Sequence, residues 1–217
     1  MKYILLLLSF YVCEGLFAET VAGETIPIGM FSSGDITGWE SRQFERKTEY
    51  SLADLDGIKV LKAFSNQSAS GLFKNVTVNL KEYPYINWRW RAADKLLEKN
   101  ETLKTGDDYV ARLYVMRSGG VFFWNTKALN YVWSSQKVAG RIWPNAFAPD
   151  NNRMIAVRTA HDQTGQWYTE KRNVYEDFKQ WLGDDVQQIH AVAIMTDTDN
   201  THSQATAYYG DIYFSKE

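Results

Sequence analysis

Three arginines and two aspartates occur with aromatic residues in two short stretches. These are Trp88-Arg89-Trp90-Arg91 and Gly106-Asp107-Asp108-Tyr109-Val110-Ala111-Arg112. Guanidinium forks and carboxylates hydrogen-bond in fixed planar geometry, so Arg89, Arg91, Asp108 and Arg112 on one surface could bind the hydroxyls or acidic groups of a glycan. Asn130 and Asp211 are further polar residues that could join them. Trp124, Trp133 and Tyr209 are the rings that could stack on the apolar face of a sugar. The rival reading of the same residues is a salt-bridged sheet surface that only stabilises strand pairing.

A second constellation is Asp197-Thr198-Asp199-Asn200-Thr201, where oxygen-bearing side chains fill successive positions. Asp197 and Asp199 are the expected ligands if this turn holds a hard cation such as calcium. It is not an EF-hand loop, because His202 stands where that loop needs glycine and Tyr208 where it needs glutamate. The alternative is a turn whose side chains hydrogen-bond their own backbone.

Other chemistry finds little footing. His161, His190 and His202 are far apart in sequence, and there is no Gly-x-Ser-x-Gly elbow or phosphate-binding Gly-Lys-Ser/Thr loop. A glycoside-cleaving carboxylate pair needs only the right separation in space, so Glu170 with Asp177, or Asp108 with Asp211, stays open as an alternative.

These residues need strands to position them. Alternation puts Ile86, Trp88 and Trp90 on one face and Asn87, Arg89 and Arg91 on the other. It likewise puts Tyr109, Ala111, Leu113 and Val115 opposite Asp108, Val110, Arg112 and Tyr114. If the two strands are neighbours, an aromatic core is backed by one Arg/Asp surface. The charged stretch from Asp94 to Leu103 reads as a helix-prone, solvent-exposed excursion between them.

Short strands separated by turn residues continue through the chain, which predicts an all-β, jelly-roll-like β-sandwich. The expected segments are 25–31, 48–52, 57–64, 70–80, 85–92, 107–116, 121–124, 128–134, 153–160, 187–196 and 205–214. One short accessory helix is expected: Asn173 caps it, Val174, Phe178, Trp181 and Leu182 form its apolar stripe, and Gly183 stops it. Trp88, Trp90 and Trp181 are core residues in this scheme, Trp39 plugs the core from a loop, and Trp143 and Trp167 could line a rim.

The N-terminus reads as a signal peptide, with Lys2 followed by an apolar run to Val12 and a small residue at Ala18. Residues 1–18 are therefore expected to be removed, leaving 19–217 as one exported domain in the periplasm or outside the cell, without a transmembrane segment. The only cysteine, Cys13, lies in the removed segment, so disulfides and thiolate chemistry are excluded from the mature chain. A net charge of -2 offers no electrostatic case for nucleic acid.

Several segments together resemble the bacterial family called domain of unknown function 3047. They are Trp88-Arg89-Trp90-Arg91, Gly106-Asp107-Asp108 with Ala111-Arg112, Leu129-Asn130-Tyr131-Val132-Trp133, Arg172-Asn173-Val174 with Asp177, Thr196 to Thr201, and Tyr209-Gly210-Asp211-Ile212. The resemblance implies an exported bacterial protein, similar in general look to carbohydrate-binding jelly-roll modules. The expected function is non-catalytic binding of a glycan or other small polar ligand in the envelope. A polysaccharide hydrolase or lyase and a protein-interaction module are the alternatives.

Overall fold

The computed structural model describes residues 24–121 and 125–217. The expected signal peptide with Cys13, the last three residues of the strand expected at 121–124, and Trp124 itself lie outside the described residues.

Two sheets face each other. The first contains β1 (Thr25–Gly29), β3 (Glu49–Leu55), β4 (Ile58–Asn66), β6 (Tyr85–Ala92), β11 (Tyr168–Asn173) and β13 (Gln204–Ser215). Its order is β11-β6-β13-β4-β3, with β1 paired to the C-terminal half of β13. The second contains β2 (Trp39–Glu45), β5 (Ala69–Asn79), β7 (Arg112–Arg117), β8 (Lys127–Trp133), β9 (Ile142–Pro144), β10 (Asn152–Arg158) and β12 (Gln188–Asp197). Its order is β2-β5-β12-β7-β8-β10-β9, and only the β8/β10 pair is parallel.

The core is set by the alternation. On β6, Ile86, Trp88 and Trp90 are buried while Arg89 and Arg91 are partly exposed. A one-residue slip would drive both arginines into the apolar layer, which fixes the register. Trp88 meets Tyr131 of β8 at 5.2 Å between ring centroids, and Trp90 meets Trp133 at 6.1 Å. Each indole removes about 200 Å² from water, on the order of 5 kcal/mol of transfer free energy.

The helix α1 (Val174–Leu182) forms as its capping residues require. The Asn173 side chain accepts from the Glu176 N–H at 3.1 Å, and Gly183 ends the helix at φ 63°. Phe178 and Val174 bury into the sandwich, and Asp177 ties the helix to the sheet by accepting from the Tyr131 hydroxyl at 2.7 Å and from the Arg172 Nε at 3.0 Å. Among the described residues no helix is long and apolar enough to cross a membrane.

The stretch from Asp94 to Leu103 departs from expectation. It forms no helix, only a single 3-10 turn following at Lys104–Gly106, and it is not a wholly exposed excursion. Glu101 is fully buried, accepting from the Ser134 hydroxyl at 2.6 Å and from the Ser135 N–H and hydroxyl at 2.6 and 2.8 Å. The segment is drawn down by a second apolar cluster of Tyr109, Val132, Trp143, Met154 and Ala156. The Trp143 indole donates to the Glu101 carbonyl at 3.1 Å, so this ring anchors the loop and does not line a rim. Trp39 is the first residue of β2, and it packs on Phe31 at 5.6 Å.

Candidate functional site

The two stretches that carry the arginines are not neighbours. β6 lies in the first sheet between β11 and β13, and β7 in the second between β12 and β8. Each has one apolar stripe, and two such stripes bury more surface by facing each other across a core than by lying side by side with one face open to water. Their polar faces therefore point away from each other. Arg89 and Arg91 sit on the outer surface of the first sheet, where Arg89 lies 4.9 Å over the Trp167 ring and Arg91 pairs with Asp56 at 3.0 Å. Asp211 is on that sheet too, accepting from the Ser32 N–H at 2.8 Å and its hydroxyl at 2.5 Å.

The Tyr209-Gly210-Asp211-Ile212 segment is a β-bulge, since the pairing of β13 with β6 shifts between Tyr209 and Ile212. Both Tyr209 and Ile212 thereby point into the core. A Cβ on Gly210 would stand 2.3 Å from the Arg89 Nε, so only glycine lets that side chain cross the bulge. Tyr209 is fully buried, donating to the Met195 carbonyl at 2.7 Å, and Trp133 is 4% exposed with its indole on the Thr159 carbonyl. Neither ring can stack on a ligand.

What gathers on the outer face of the second sheet is a different set. Arg112, at the start of β7, is 3% exposed. Its Nη2 stands 2.8 Å from Asp197 Oδ2 and 3.1 Å from Asp107 Oδ2 and also donates to the Asp107 carbonyl; Nη1 donates to the Tyr114 hydroxyl at 2.8 Å. The guanidinium lies 4.1 Å from the Tyr109 centroid. Burial opposes its charge, but Asp107 and Asp197 outweigh that and hold it firmly protonated. Burial pushes the Asp197 carboxyl well above its ordinary range against the pull of Arg112. It also pushes the Tyr114 phenol up to about 12, so that hydroxyl keeps its proton.

Asp197 and Asp199 reach this face because β12 alternates through its end. Thr196 and Thr198 turn the other way, Thr196 donating to the Val110 carbonyl at 2.9 Å and Thr198 bonding Ser65 at 2.8 Å. Asp108 caps the turn by accepting from the Asn200 and Thr201 N–H groups at 3.1 and 2.7 Å and from the Thr201 hydroxyl at 2.5 Å. The turn is therefore held by a carboxylate distant in sequence as well as by its own side chains, among which Thr201 bonds Ser203 at 2.9 Å.

One ligand oxygen from each of Asp108, Asp197 and Asp199 lies within 4.8 Å of the others. Calcium takes six to eight oxygens. The geometry fits it poorly: Asp108 already serves three donors and Asp197 accepts from Tyr109 N–H and Arg112, while Thr198 faces away. The Lys99 amine, buried and without a hydrogen-bond partner, adds positive charge nearby; burial lowers its pKa against the pull of Asp108 and Asp197. Asp199 differs from its neighbours, since its Oδ1 is buried without a donor, and burial followed by the Asp108 charge raises its pKa.

Above these residues is a cavity of about 500 Å³. Arg112, Asp107, Asp197 and Asp199 form one part of its lining, Tyr114 and Met195 another, and Phe44 and Phe147 are also on its wall. Those two rings are 64% and 57% exposed, far more than a packing role requires. Asn130 faces the same side, opposite Tyr114, and donates to Asn152, which also lines the cavity. A smaller depression of about 330 Å³, lined by Arg42, Phe73, Asn75, Met116 and His190, lies farther along the same face, with Ala191 of β12 in its wall.

Of the residues singled out in the sequence, Asp108, Arg112, Asn130, Asp197 and Asp199 come together, and Arg89, Arg91 and Asp211 are on the opposite sheet. Phe44 escaped sequence reading because the residues around it, Ser41, Arg42, Gln43 and Glu45, are polar, and Phe147 because it sits in a loop. Tyr114 was marked by its spacing, two residues after Arg112 on the same strand face.

The fold has solved counterparts. The family 11 carbohydrate-binding module of cellulosomal cellulase Lic26A-Cel5E of Clostridium thermocellum superposes with a TM-score of 0.50 at 8% identity, covering 89% of this chain and 95% of that one. Cellulose induced protein, Cip1, superposes with a TM-score of 0.50 at 12% identity, covering 86% and 95%. At such identities the likeness is one of fold: a jelly-roll-like β-sandwich. No curated protein matches the sequence. The family model described as "Protein of unknown function (DUF3047)" matches residues 37–213, most of the chain and every segment that carries the cavity, and the protein belongs to that family.

Proposed function

We propose that this protein is an exported, non-catalytic glycan-binding β-sandwich of the bacterial envelope, and that the cavity on its second sheet is the binding groove. The observation that carries the reading is the combination of two exposed phenyl rings with a floor of buried polar groups. Phe44 and Phe147 offer faces for the C–H side of a sugar ring, while Asp199 Oδ1 and Asp107 Oδ1 are carboxylate oxygens without a donor. A buried acceptor with no partner costs about 1–3 kcal/mol, which a sugar hydroxyl placed there would relieve.

The shape favours a chain over a single sugar. The two depressions both border β12, and from Ala191 to Asp197 the strand rises about 20 Å. Binding is favoured over hydrolysis by how the carboxylates are used: Asp107, Asp108 and Asp197 are held by Arg112, Tyr109 and the 200–201 turn and are not poised across an open gap. The jelly-roll-like fold is shared with carbohydrate-binding modules, which supports the reading by analogy.

Calorimetric titration with a panel of soluble oligosaccharides tests it. At least one should bind, and Phe44→Ala, at an exposed position, should weaken it about tenfold without lowering the melting temperature. An absence of binding across neutral, acidic and basic oligosaccharides would remove the proposal.

A further inference from the structure

We propose that the glycan accepted by this groove carries basic nitrogen, as in a chain of glucosamine-type residues with free amines, and that its ammonium group is received by the free oxygens of Asp199 and Asp107. The inference rests on the glycan reading above and names its ligand class.

The charges on the floor are unbalanced. Glu45, Asp107, Asp197 and Asp199 line the cavity, and Asp108 stands within 4.8 Å of the last two. Against these five carboxylates stand Arg112, which is already engaged with Asp107, Asp197 and Tyr114, and Lys99, whose buried amine lies behind the lining. Lys104 approaches the Phe147 ring at 5.2 Å but does not line the cavity. The floor therefore holds five carboxyl groups against two cationic side chains.

An acidic sugar would meet this excess without a free guanidinium to answer it, since both terminal nitrogens of Arg112 are already engaged with Asp107, Asp197 and Tyr114. That reverses the preference expected from an arginine-rich face. A neutral sugar could donate hydroxyls to the free oxygens but would leave the charge uncompensated. A protonated amine supplies three donors and the missing charge together. Asp107 is the observation that separates this from a surface cluster of acids: it is 3% exposed, it lines the cavity, and its Oδ1 has no donor. The phenyl faces beside it attract a cation as well as a sugar ring.

The test compares β-linked glucosamine oligosaccharides with N-acetylated twins of equal length, neutral glucan and uronate oligosaccharides, and calcium alone. All are titrated into the protein at mildly acidic pH, where the sugar amine is charged. The free-amine chain should bind at least about tenfold tighter than its acetylated twin. Asp199→Asn should weaken the free-amine chain far more than its twin and so erase the difference between them, while Phe44→Ala should weaken both alike. Equal or tighter binding of the acetylated, neutral or acidic chain would overturn the amine inference and leave the glycan reading standing. Binding of calcium with no sugar bound would overturn both.

Discussion

Replacing Arg112 by methionine should destabilise the fold severely at neutral pH and much less in mild acid. The guanidinium holds two carboxylates, Asp197 at 2.8 Å and Asp107 at 3.1 Å, at a site where all three side chains are no more than 4% exposed. Methionine fills most of the volume but leaves those charges unopposed, and breaking such a pair typically costs about 3–5 kcal/mol. Burial already pushes the Asp197 carboxyl above its ordinary range against the pull of Arg112, so losing the guanidinium raises that pKa further.

The sign of the pH effect follows. Losing Arg112 raises the folded pKa of Asp197 further above its unfolded value, so the deficit against wild type should shrink as pH falls and the carboxyl becomes protonated in both proteins. Urea unfolding followed by tryptophan fluorescence, with Trp88 and Trp90 as buried reporters, measures the deficit at each pH. A loss under about 1 kcal/mol that does not change between neutral and mildly acidic pH would refute the reasoning, because it would mean that the carboxylates do not depend on Arg112.

Three further outcomes are expected. Asp199→Asn should stabilise the unliganded protein at neutral pH by a few tenths to about 1 kcal/mol, a modest value because the residue is only partly buried. Burial and the Asp108 charge raise its folded pKa, so the ionised form is what destabilises, and the gain seen in thermal melts should vanish as pH falls through 3.8. Glu101→Gln should cost about 1–3 kcal/mol in urea titrations, since an amide nitrogen must then face one of the three donors from Ser134 and Ser135. Asn173→Ala should cost about 1 kcal/mol through loss of the helix cap, with ligand affinity unchanged because α1 does not line the groove.

Much of the fold was legible because apolar alternation directly reports which face of a strand is buried. The β6 segment and the helix with its Asn173 and Gly183 ends follow from local rules that the tertiary structure does not override. Alternation does not say which strand lies beside which. The Trp88/Trp90 stripe and the Leu113/Val115 stripe are each complete descriptions of a buried face, and either side-by-side or face-to-face packing would satisfy them. That ambiguity put Arg89 and Arg91 with Arg112 when they belong to opposite surfaces.

The strands β2 and β11 were missed for a related reason. Glu40, Ser41, Arg42 and Gln43, like Thr169, Glu170, Lys171 and Arg172, form polar edge strands whose pairing comes from the neighbouring strand's backbone and not from an apolar stripe of their own. Glu101 was hidden in a run of exposed charges because nothing in a carboxylate's identity marks it as the acceptor for a turn more than thirty residues away. Of the site, the local pairing of Arg112 with Tyr114 and the acidic turn at 197–201 could be read. The flanking phenyl rings could not, since exposure is a property of the finished surface.

The groove itself can be located most directly by amide NMR titration of the protein with a glucosamine oligosaccharide. The expected result is that shifts concentrate at Phe44, Tyr114, Phe147, Asp199 and Asn200, residues from separate segments that meet only around this cavity. Shifts confined to the opposite sheet, around Arg89, Trp167 and Gly210, would contradict the assignment of the groove and return attention to the arginine surface that the sequence first suggested.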